Sequence, residues 1–115
     1  MRFSRSLKEN HLFRRLYRRG ASSANAFLVI YARKNGSQEN RIGLTVSGKI
    51  GCAVRRNKIR RRLREIYRLN EEKFLCGYDV VVVARTRAMT ADYARLEKAY
   101  LSLAGHMGLL REEEA

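Results

Sequence analysis

The segment that decides the predicted fold runs from residue 41 to residue 84 and reads RIGLTVSGKIGCAVRRNKIRRRLREIYRLNEEKFLCGYDVVVVA. At residues 41–47 apolar side chains alternate with glycine, threonine and serine, which is typical of a half-buried strand. Residues 78–84 are a short β-branched run, which is typical of a buried strand. A helical pattern occupies about residues 53–69 between them. This order of strand, helix and strand predicts a pair of parallel strands.

A first helix is predicted from about Asn10 to Arg19, because Asn10 can cap it and Gly20 can end it. Ser6 with Glu9 is an alternative capping box, which would start the helix one turn earlier.

Two apolar stripes run along this first helix. Leu12 and Leu16 form one stripe, and Phe13 and Tyr17 form an adjacent one. The leucines already supply a face for the core, so the two rings are either further core residues or a spare aromatic surface. The residues themselves leave both interpretations open.

Residues 24–33 predict a strand that is covered on both faces, because both alternating sets of side chains are apolar. Residues 35–40 are polar and predict a turn. We therefore expect strands 24–33 and 41–47 to form an antiparallel hairpin.

A last helix is expected after Thr90, which can cap it. Its apolar residues form a stripe in a near-heptad pattern, which assigns them to the core: Tyr93, Leu96, Tyr100, Leu103 and Met107. Residues 109–115 predict a flexible acidic tail. The whole chain, 1–115, is predicted to be a single α/β domain, an α+β sandwich. It has a small mixed four-stranded sheet and three helices in the order αβ(β)βαβα.

Composition favours a polyanionic partner. The chain has 115 residues and a formal net charge of +14, and hydrophobic residues make up 45% of it, so it is not a disordered basic tail. A field of this sign attracts nucleic acid or an anionic membrane. No apolar run approaches the length of a membrane span, and the first residues lack the apolar region of a secretory signal. We expect a cytoplasmic protein.

The cysteines give little indication of a metal site. Cys52 and Cys76 belong to no CxxC motif, and only His11 and His106 could join them as ligands. Free thiols and surface histidines are the expected outcome.

The central helix concentrates the positive charge. Between Arg55 and Arg68 eight of fourteen residues are Arg or Lys, and Glu65 is the only acid. At 100° per residue, the apolar residues Ile59, Leu63, Ile66 and Tyr67 share the core face. The opposite face collects Asn57, Arg61, Arg64 and Arg68, flanked by Lys58 and Arg60.

A merely solvated face would alternate its charges and gain pairs four residues apart. Nearly all the charges on this face are positive, and most belong to Arg rather than Lys, which suits bidentate contact with phosphate. Gly48 and Gly51 in the preceding loop would let backbone approach a phosphate closely. The loop lacks the spacing of a P-loop, so nucleotide binding by that route is not expected.

The segment KIGCAVRRNKIRRRLREIYR, residues 49–68, resembles the signature of the bacterial ribonuclease P protein component, K-x-G-x-A-V-x-R-N-R-x-K-R-x-x-R-E. The matching residues are Lys49, Gly51, Ala53, Val54, Arg56, Asn57, Arg61, Arg64 and Glu65. At the position of Lys58 the family pattern has Arg, and at that of Arg60 it has Lys, so the positive charge is kept at both. Gly48 and Cys52 differ from the residues that are common in the family. Residues 7–20 and 81–85 also resemble the family's first helix and last strand.

The resemblance implies a protein that assists a catalytic RNA in removing the 5′ leader of precursor tRNA. It implies that the basic surface docks on the catalytic RNA through Lys49, Arg55, Arg56, Asn57, Lys58, Arg60, Arg61, Arg64 and Arg68. It implies that Phe13, Tyr17 and Tyr31 line a cleft for the single-stranded leader. It also implies a left-handed crossover between the parallel strands, against the general rule.

The same resemblance implies that the protein alone is inactive and has no catalytic residue. The sequence has no carboxylate cluster for two metal ions, and Asp79 and Asp92 are its only aspartates. We therefore expect no cofactor or metal on the protein itself and a requirement for Mg²⁺ in the assembled enzyme. No membrane or small-molecule partner is expected.

Two other functions compete with this one. A structural RNA binder, such as a ribosomal protein or an RNA chaperone, has the same composition. Attachment to a membrane surface by the basic helix is disfavoured, because its apolar face lacks Trp or Phe anchors and is needed by the strands.

Overall fold

A five-stranded mixed sheet forms the centre of the computed structural model, which describes residues 4–111. The strands are β1 (Ser4–Ser6), β2 (Ala21–Ala24), β3 (Leu28–Lys34), β4 (Asn40–Val46) and β5 (Tyr78–Ala84). The helices are α1 (Asn10–Arg19), α2 (Ala53–Asn70) and α3 (Tyr93–His106). Across the sheet the strands follow the order β1-β4-β5-β3-β2. The predicted fold class is confirmed, with five strands instead of four.

The central strand is β5, which is parallel to β4 and antiparallel to β3. The predicted parallel pair is therefore confirmed. The predicted hairpin between β3 and β4 is wrong, because β5 lies between these two strands. Val80, Val81 and Val82 are buried, so a strand that is apolar on both faces has taken the most covered position in the sheet.

The edge strands β1 and β2 are short and polar, and the sequence did not predict them. β1 pairs in parallel with β4, and β2 pairs antiparallel with β3. The predicted strand 24–33 is divided at Asn25, whose side-chain oxygen accepts hydrogen bonds from the backbone N–H groups of Phe27 (3.0 Å) and Leu28 (2.9 Å). This turn separates β2 from β3.

The helices lie in two layers. Leu12 and Leu16 of α1 pack on one face of the sheet against Val81. Helices α2 and α3 pack on the other face, where Val80 and Val82 join the larger core. Alternation along β5 supplies side chains to both layers.

Two helix caps differ from the predicted ones. Glu9 occupies the cap position of α1 and makes no side-chain cap bond, while Asn10 is the first helical residue. Ser6 lies in β1, so no capping box forms. The cap of α3 is Asp92, which accepts a hydrogen bond from the Arg95 backbone N–H at 2.8 Å, whereas Thr90 lies in a preceding 3-10 turn.

The segment after α3 packs on the domain, contrary to the predicted tail from residue 109. Leu109 is buried, and its carbonyl accepts a hydrogen bond from the Leu75 N–H at 2.8 Å. The Arg111 N–H donates to the Lys73 carbonyl at 2.7 Å. Residues 112–115 of the predicted tail lie outside the described residues. The predicted handedness of the β4–α2–β5 crossover stays a prediction.

Candidate nucleic-acid interface

Helix α2 separates its charged side chains from its apolar ones. The predicted core residues are all buried: Ile59, Leu63, Ile66 and Tyr67. Because this face packs on the sheet, the guanidinium groups are held on the outer side of a rigid element. None of the helices within residues 4–111 is long and apolar enough to cross a membrane.

The polar residues predicted to bind RNA lie on α2 or in the loop before it. Most are exposed: Lys49, Arg55, Asn57, Lys58, Arg61, Arg64 and Arg68. Arg56 and Arg60 are half-buried. The structure thus brings these residues together along one helix and its N-terminal loop.

Contacts with other residues divide this group. Arg60 donates a hydrogen bond to the side-chain oxygen of Asn57 at 2.9 Å. Arg68 forms an ion pair with Glu65. Among the described residues, Arg61 and Arg64 have no hydrogen-bonded or ionic partner, so their N–H donors face solvent. These two arginines are the most available for a phosphate.

The single acid of α2 does little to neutralise this face. Arg68 donates a hydrogen bond to Glu65 and thereby holds the pKa of that carboxyl below its usual value. Glu65 is therefore ionised at neutral pH and engages one arginine, which leaves the rest of the face positive.

The loop before α2 is a tight turn that contains two glycines. Residues Gly48–Ile50 form a 3-10 turn, and Gly51 has a φ of 129°, which favours glycine. Cys52 follows at the cap position of α2. Backbone N–H groups of Arg55 and Val54 lower the pKa of this exposed thiol.

Lys8 was missed by sequence reasoning. It lines a shallow groove between α2 and β4 together with Arg60 and Arg64. Nothing in the sequence around Lys8 indicated this placement, because it depends on how the segment after β1 passes the helix.

The predicted aromatic residues meet on the opposite face of the sheet. The ring centroids of Phe13 and Tyr17 lie 6.5 Å apart, and those of Tyr17 and Tyr31 lie 4.9 Å apart in an edge-to-face arrangement. Tyr17 is 43% exposed, whereas Phe13 and Tyr31 are half-buried. We call these three residues the aromatic cluster.

Gly43 of β4 makes room for the aromatic cluster. A Cβ atom at this position would lie 2.7 Å from the Phe13 ring, closer than packed atoms allow. The Phe13 ring therefore lies directly on the strand backbone. Asn10, Arg14 and Thr45 complete the cleft around Phe13 and Tyr17.

Arg14 and Asn10 could have been found in the sequence. With Phe13 and Tyr17 they have the spacing i, i+3, i+4 and i+7, which places them on one side of a helix. Thr45 gave no such signal, because its position beneath α1 depends on the strand order.

The acidic residues have structural roles. Both carboxylate oxygens of Asp79 accept hydrogen bonds from Arg41, at 2.6 and 2.7 Å. Asp92 caps α3. No group of three or more His, Cys, Asp or Glu side chains within residues 4–111 could hold a metal ion. Cys52, Cys76, His11 and His106 are all exposed.

A family model described as Ribonuclease P matches residues 1–108 of the chain. The chain belongs to the ribonuclease P protein family. A ribonuclease P protein component from Alkaliphilus oremlandii is 44% identical over 104 residues, covering 90% of this chain and 91% of that relative. One from Clostridioides difficile is 43% identical over 101 residues, covering 87% and 89%.

Solved structures of ribonuclease P proteins have the same fold. The Staphylococcus aureus protein superposes with a TM-score of 0.87 at 30% identity, over 94% of this chain and 99% of that one. The Thermotoga maritima protein gives a TM-score of 0.80 at 33% identity, over 85% and 93%. The five-stranded sheet with three helices is therefore the fold of this family.

Proposed function

We propose that the protein is the protein subunit of ribonuclease P and that it binds two RNAs. Helix α2 and its loop bind the catalytic RNA, and the aromatic cluster binds the 5′ leader of precursor tRNA. The observation that supports this proposal is the placement of Arg61 and Arg64, which are unpaired among the described residues, and of the partly exposed aromatic cluster on opposite faces of one sheet.

At α2 the residues neutralise phosphate charge. Arg61 and Arg64 can each offer a planar pair of N–H donors to phosphate oxygens. Lys49, Arg55, Arg56, Asn57, Lys58, Arg60 and Arg68 extend the same surface. Cations fixed on the protein reduce the repulsion between two RNAs that must approach each other.

At the aromatic cluster the residues hold bases. A single-stranded base can stack on an exposed ring with little preference for sequence. Tyr17 presents the most accessible ring, and Phe13 and Tyr31 support it from the side of the sheet. Such a cleft suits an enzyme that processes many precursors.

Hydrolysis of the phosphodiester bond belongs, in this proposal, to the catalytic RNA and the Mg²⁺ ions that it holds. The described residues offer the protein no metal cluster of its own, and its two aspartates are engaged by Arg41 and by the start of α3. The protein binds and orients the substrate.

Reconstitution tests the proposal. The protein is mixed with a bacterial ribonuclease P RNA and a labelled precursor tRNA at low magnesium, and release of the 5′ leader is followed. We expect cleavage only when both the RNA and the protein are present. Cleavage by RNA-free protein that a point mutation abolishes would contradict the proposal. An RNA binder of another class would bind without restoring cleavage.

A further inference from the structure

The outer face of α1 carries a second concentration of arginine. Arg14, Arg15, Arg18 and Arg19 are all exposed, and together with His11 they line a shallow groove. We call these four arginines the α1 ridge. None of them has a hydrogen-bonded or ionic side-chain partner among residues 4–111.

The stability of α1 does not explain the α1 ridge. Arg14 with Arg18, and Arg15 with Arg19, are like charges four residues apart, which destabilise a helix. Arg18 and Arg19 lie in the last turn, where positive charge favours the helix dipole. Arg14 and Arg15 lie before that turn, and α1 contains no acidic residue to pair with them.

The core does not need these side chains either. Leu12 and Leu16 are the buried residues of α1, and Phe13 and Tyr17 also contact the sheet, so none of the four arginines is part of this core. The ridge points away from that contact. A solvated face that served only solubility would carry charges of both signs.

The dimensions of the α1 ridge fit a polyphosphate. Helix α1 has 10 residues and is about 15 Å long. A strand that is stacked as in a duplex carries a negative charge about every 3.4 Å along its axis, so such a strand presents about four phosphates over this length. Each guanidinium can donate two parallel hydrogen bonds to phosphate oxygens.

The α1 ridge is continuous with the cleft. Arg14 lines the groove of the ridge and also the cleft that contains Phe13 and Tyr17. An RNA strand that leaves the cleft can therefore meet the ridge without crossing neutral surface.

We propose that the α1 ridge is a third RNA-binding surface, which binds the phosphodiester backbone and is separate from both α2 and the aromatic cluster. This inference rests on the proposed function. The phosphates are those of the precursor leader beyond the cleft, because Arg14 joins the groove of the ridge to the cleft. Binding of the catalytic RNA to the ridge is the competing outcome of the experiment below.

The test uses a triple variant, Arg15→Gln with Arg18→Gln and Arg19→Gln, which leaves Arg14 at the cleft unchanged. Glutamine has a helix propensity close to that of arginine, so α1 should be retained, as circular dichroism can verify. The matched control removes the same charge elsewhere on the exposed surface, through Lys34→Gln, Arg95→Gln and Lys98→Gln.

Two affinities are measured between 50 and 200 mM salt. The first is the affinity of the protein for the catalytic RNA. The second is that of the assembled enzyme for precursor tRNA with a long or a two-nucleotide leader. Each lost phosphate contact lowers the log–log salt slope by about 0.7–0.9, so we expect the ridge variant to lose about 2–3 in slope.

The affected measurement identifies the source of the phosphates. A slope loss confined to the long-leader precursor supports the inference, whereas a loss confined to the catalytic RNA would overturn it. If wild-type protein binds normally and the ridge variant behaves like the control variant in both measurements, the inference is wrong. If wild-type protein binds neither RNA, the proposed function itself fails, and the ridge fails with it.

Discussion

Tyr17 is the residue at which folding and binding can be separated most cleanly. Tyr17 is the most exposed member of the aromatic cluster, at 43%, while Leu16 beside it is buried, so Tyr17 contributes less to the core. We predict that Tyr17→Ala weakens the affinity of the assembled enzyme for precursor tRNA by about 1–3 kcal/mol. Affinity for mature tRNA should barely change, because it has no leader.

The half-buried rings of the aromatic cluster provide the comparison. Phe13→Ala and Tyr31→Ala should weaken precursor binding and also lower the melting temperature, because both side chains pack on the α1 layer of the core. Melting curves and paired affinities for precursor and mature tRNA separate the two effects. If the affinities for both tRNAs fall equally, the cleft does not bind the leader.

The hydroxyl of Tyr100 is a buried polar group that makes no hydrogen bond with the described residues. The Tyr100 ring is fully buried against Phe74 at a centroid distance of 6.0 Å. Burial also raises the pKa of this hydroxyl, so it stays protonated. An unsatisfied buried group costs about 1–3 kcal/mol, and we predict that Tyr100→Phe raises the free energy of unfolding by about 1 kcal/mol.

Tyr67 is the matched control for this prediction. Its ring is also buried, but its hydroxyl bonds with the Ser4 hydroxyl at 2.6 Å and accepts from the Asn40 amide at 3.3 Å. Tyr67→Phe should therefore lower the free energy of unfolding by about 1 kcal/mol. Denaturant titration measures both variants, and the same sign of change in both would contradict the argument.

At the scale of single elements, α2 combines a buried face with a binding face. We predict that Arg61→Ala with Arg64→Ala weakens binding to the catalytic RNA and lowers its log–log salt slope by about 0.7–0.9 for each lost contact. The fold should survive, because both side chains are exposed and unpaired within the described part of the chain. Titrations at several salt concentrations measure the slope, and an unchanged slope would place the RNA surface elsewhere.

Leu63→Ala supplies the opposite control on the same helix. Leu63 is fully buried, so its truncation should cost about 2–5 kcal/mol of stability. At temperatures where the variant stays folded, its salt slope should match that of the wild type.

The sequence predicted single elements better than it predicted their neighbours. The bounds of β5 and the core face of α2 follow from local sequence pattern, which the structure confirms, and α1 has the predicted range although its predicted cap is wrong. The hairpin was wrong because a polar turn shows only that the chain reverses. It does not show that another strand, β5, will enter between the two arms.

The short edge strands and the caps were missed for a different reason. The sequences of β1 and β2, SRS and ASSA, contain no apolar alternation, so they become strands only because β4 and β3 offer free edges. Placement of Lys8 and Thr45 at the candidate sites likewise depends on tertiary packing.

At the scale of the whole molecule, a net charge of +14 makes stability depend on the RNA partner. When RNA binds the folded state, the free energy of unfolding should rise by about 2.7 kcal/mol at an RNA concentration of 100 times Kd. We predict that catalytic RNA raises the melting temperature of the wild-type protein and raises that of Arg61→Ala with Arg64→Ala less. Calorimetry at low salt measures this, and equal shifts would contradict it.

The central position of β5 has a consequence for synthesis on the ribosome. Strand β3 leaves the ribosome well before β5, and its longest ladder forms with β5 alone. Once β4 is made, the nascent chain can hold two strand pairs, β1–β4 and β2–β3, that are not joined while residues 47–77 are added, which at about 5–20 residues per second takes about 2–6 s. During this interval the excess of like charge keeps the apolar strands of neighbouring nascent chains apart. The cationic character that serves the mature domain thus also protects it from aggregation before its sheet can close.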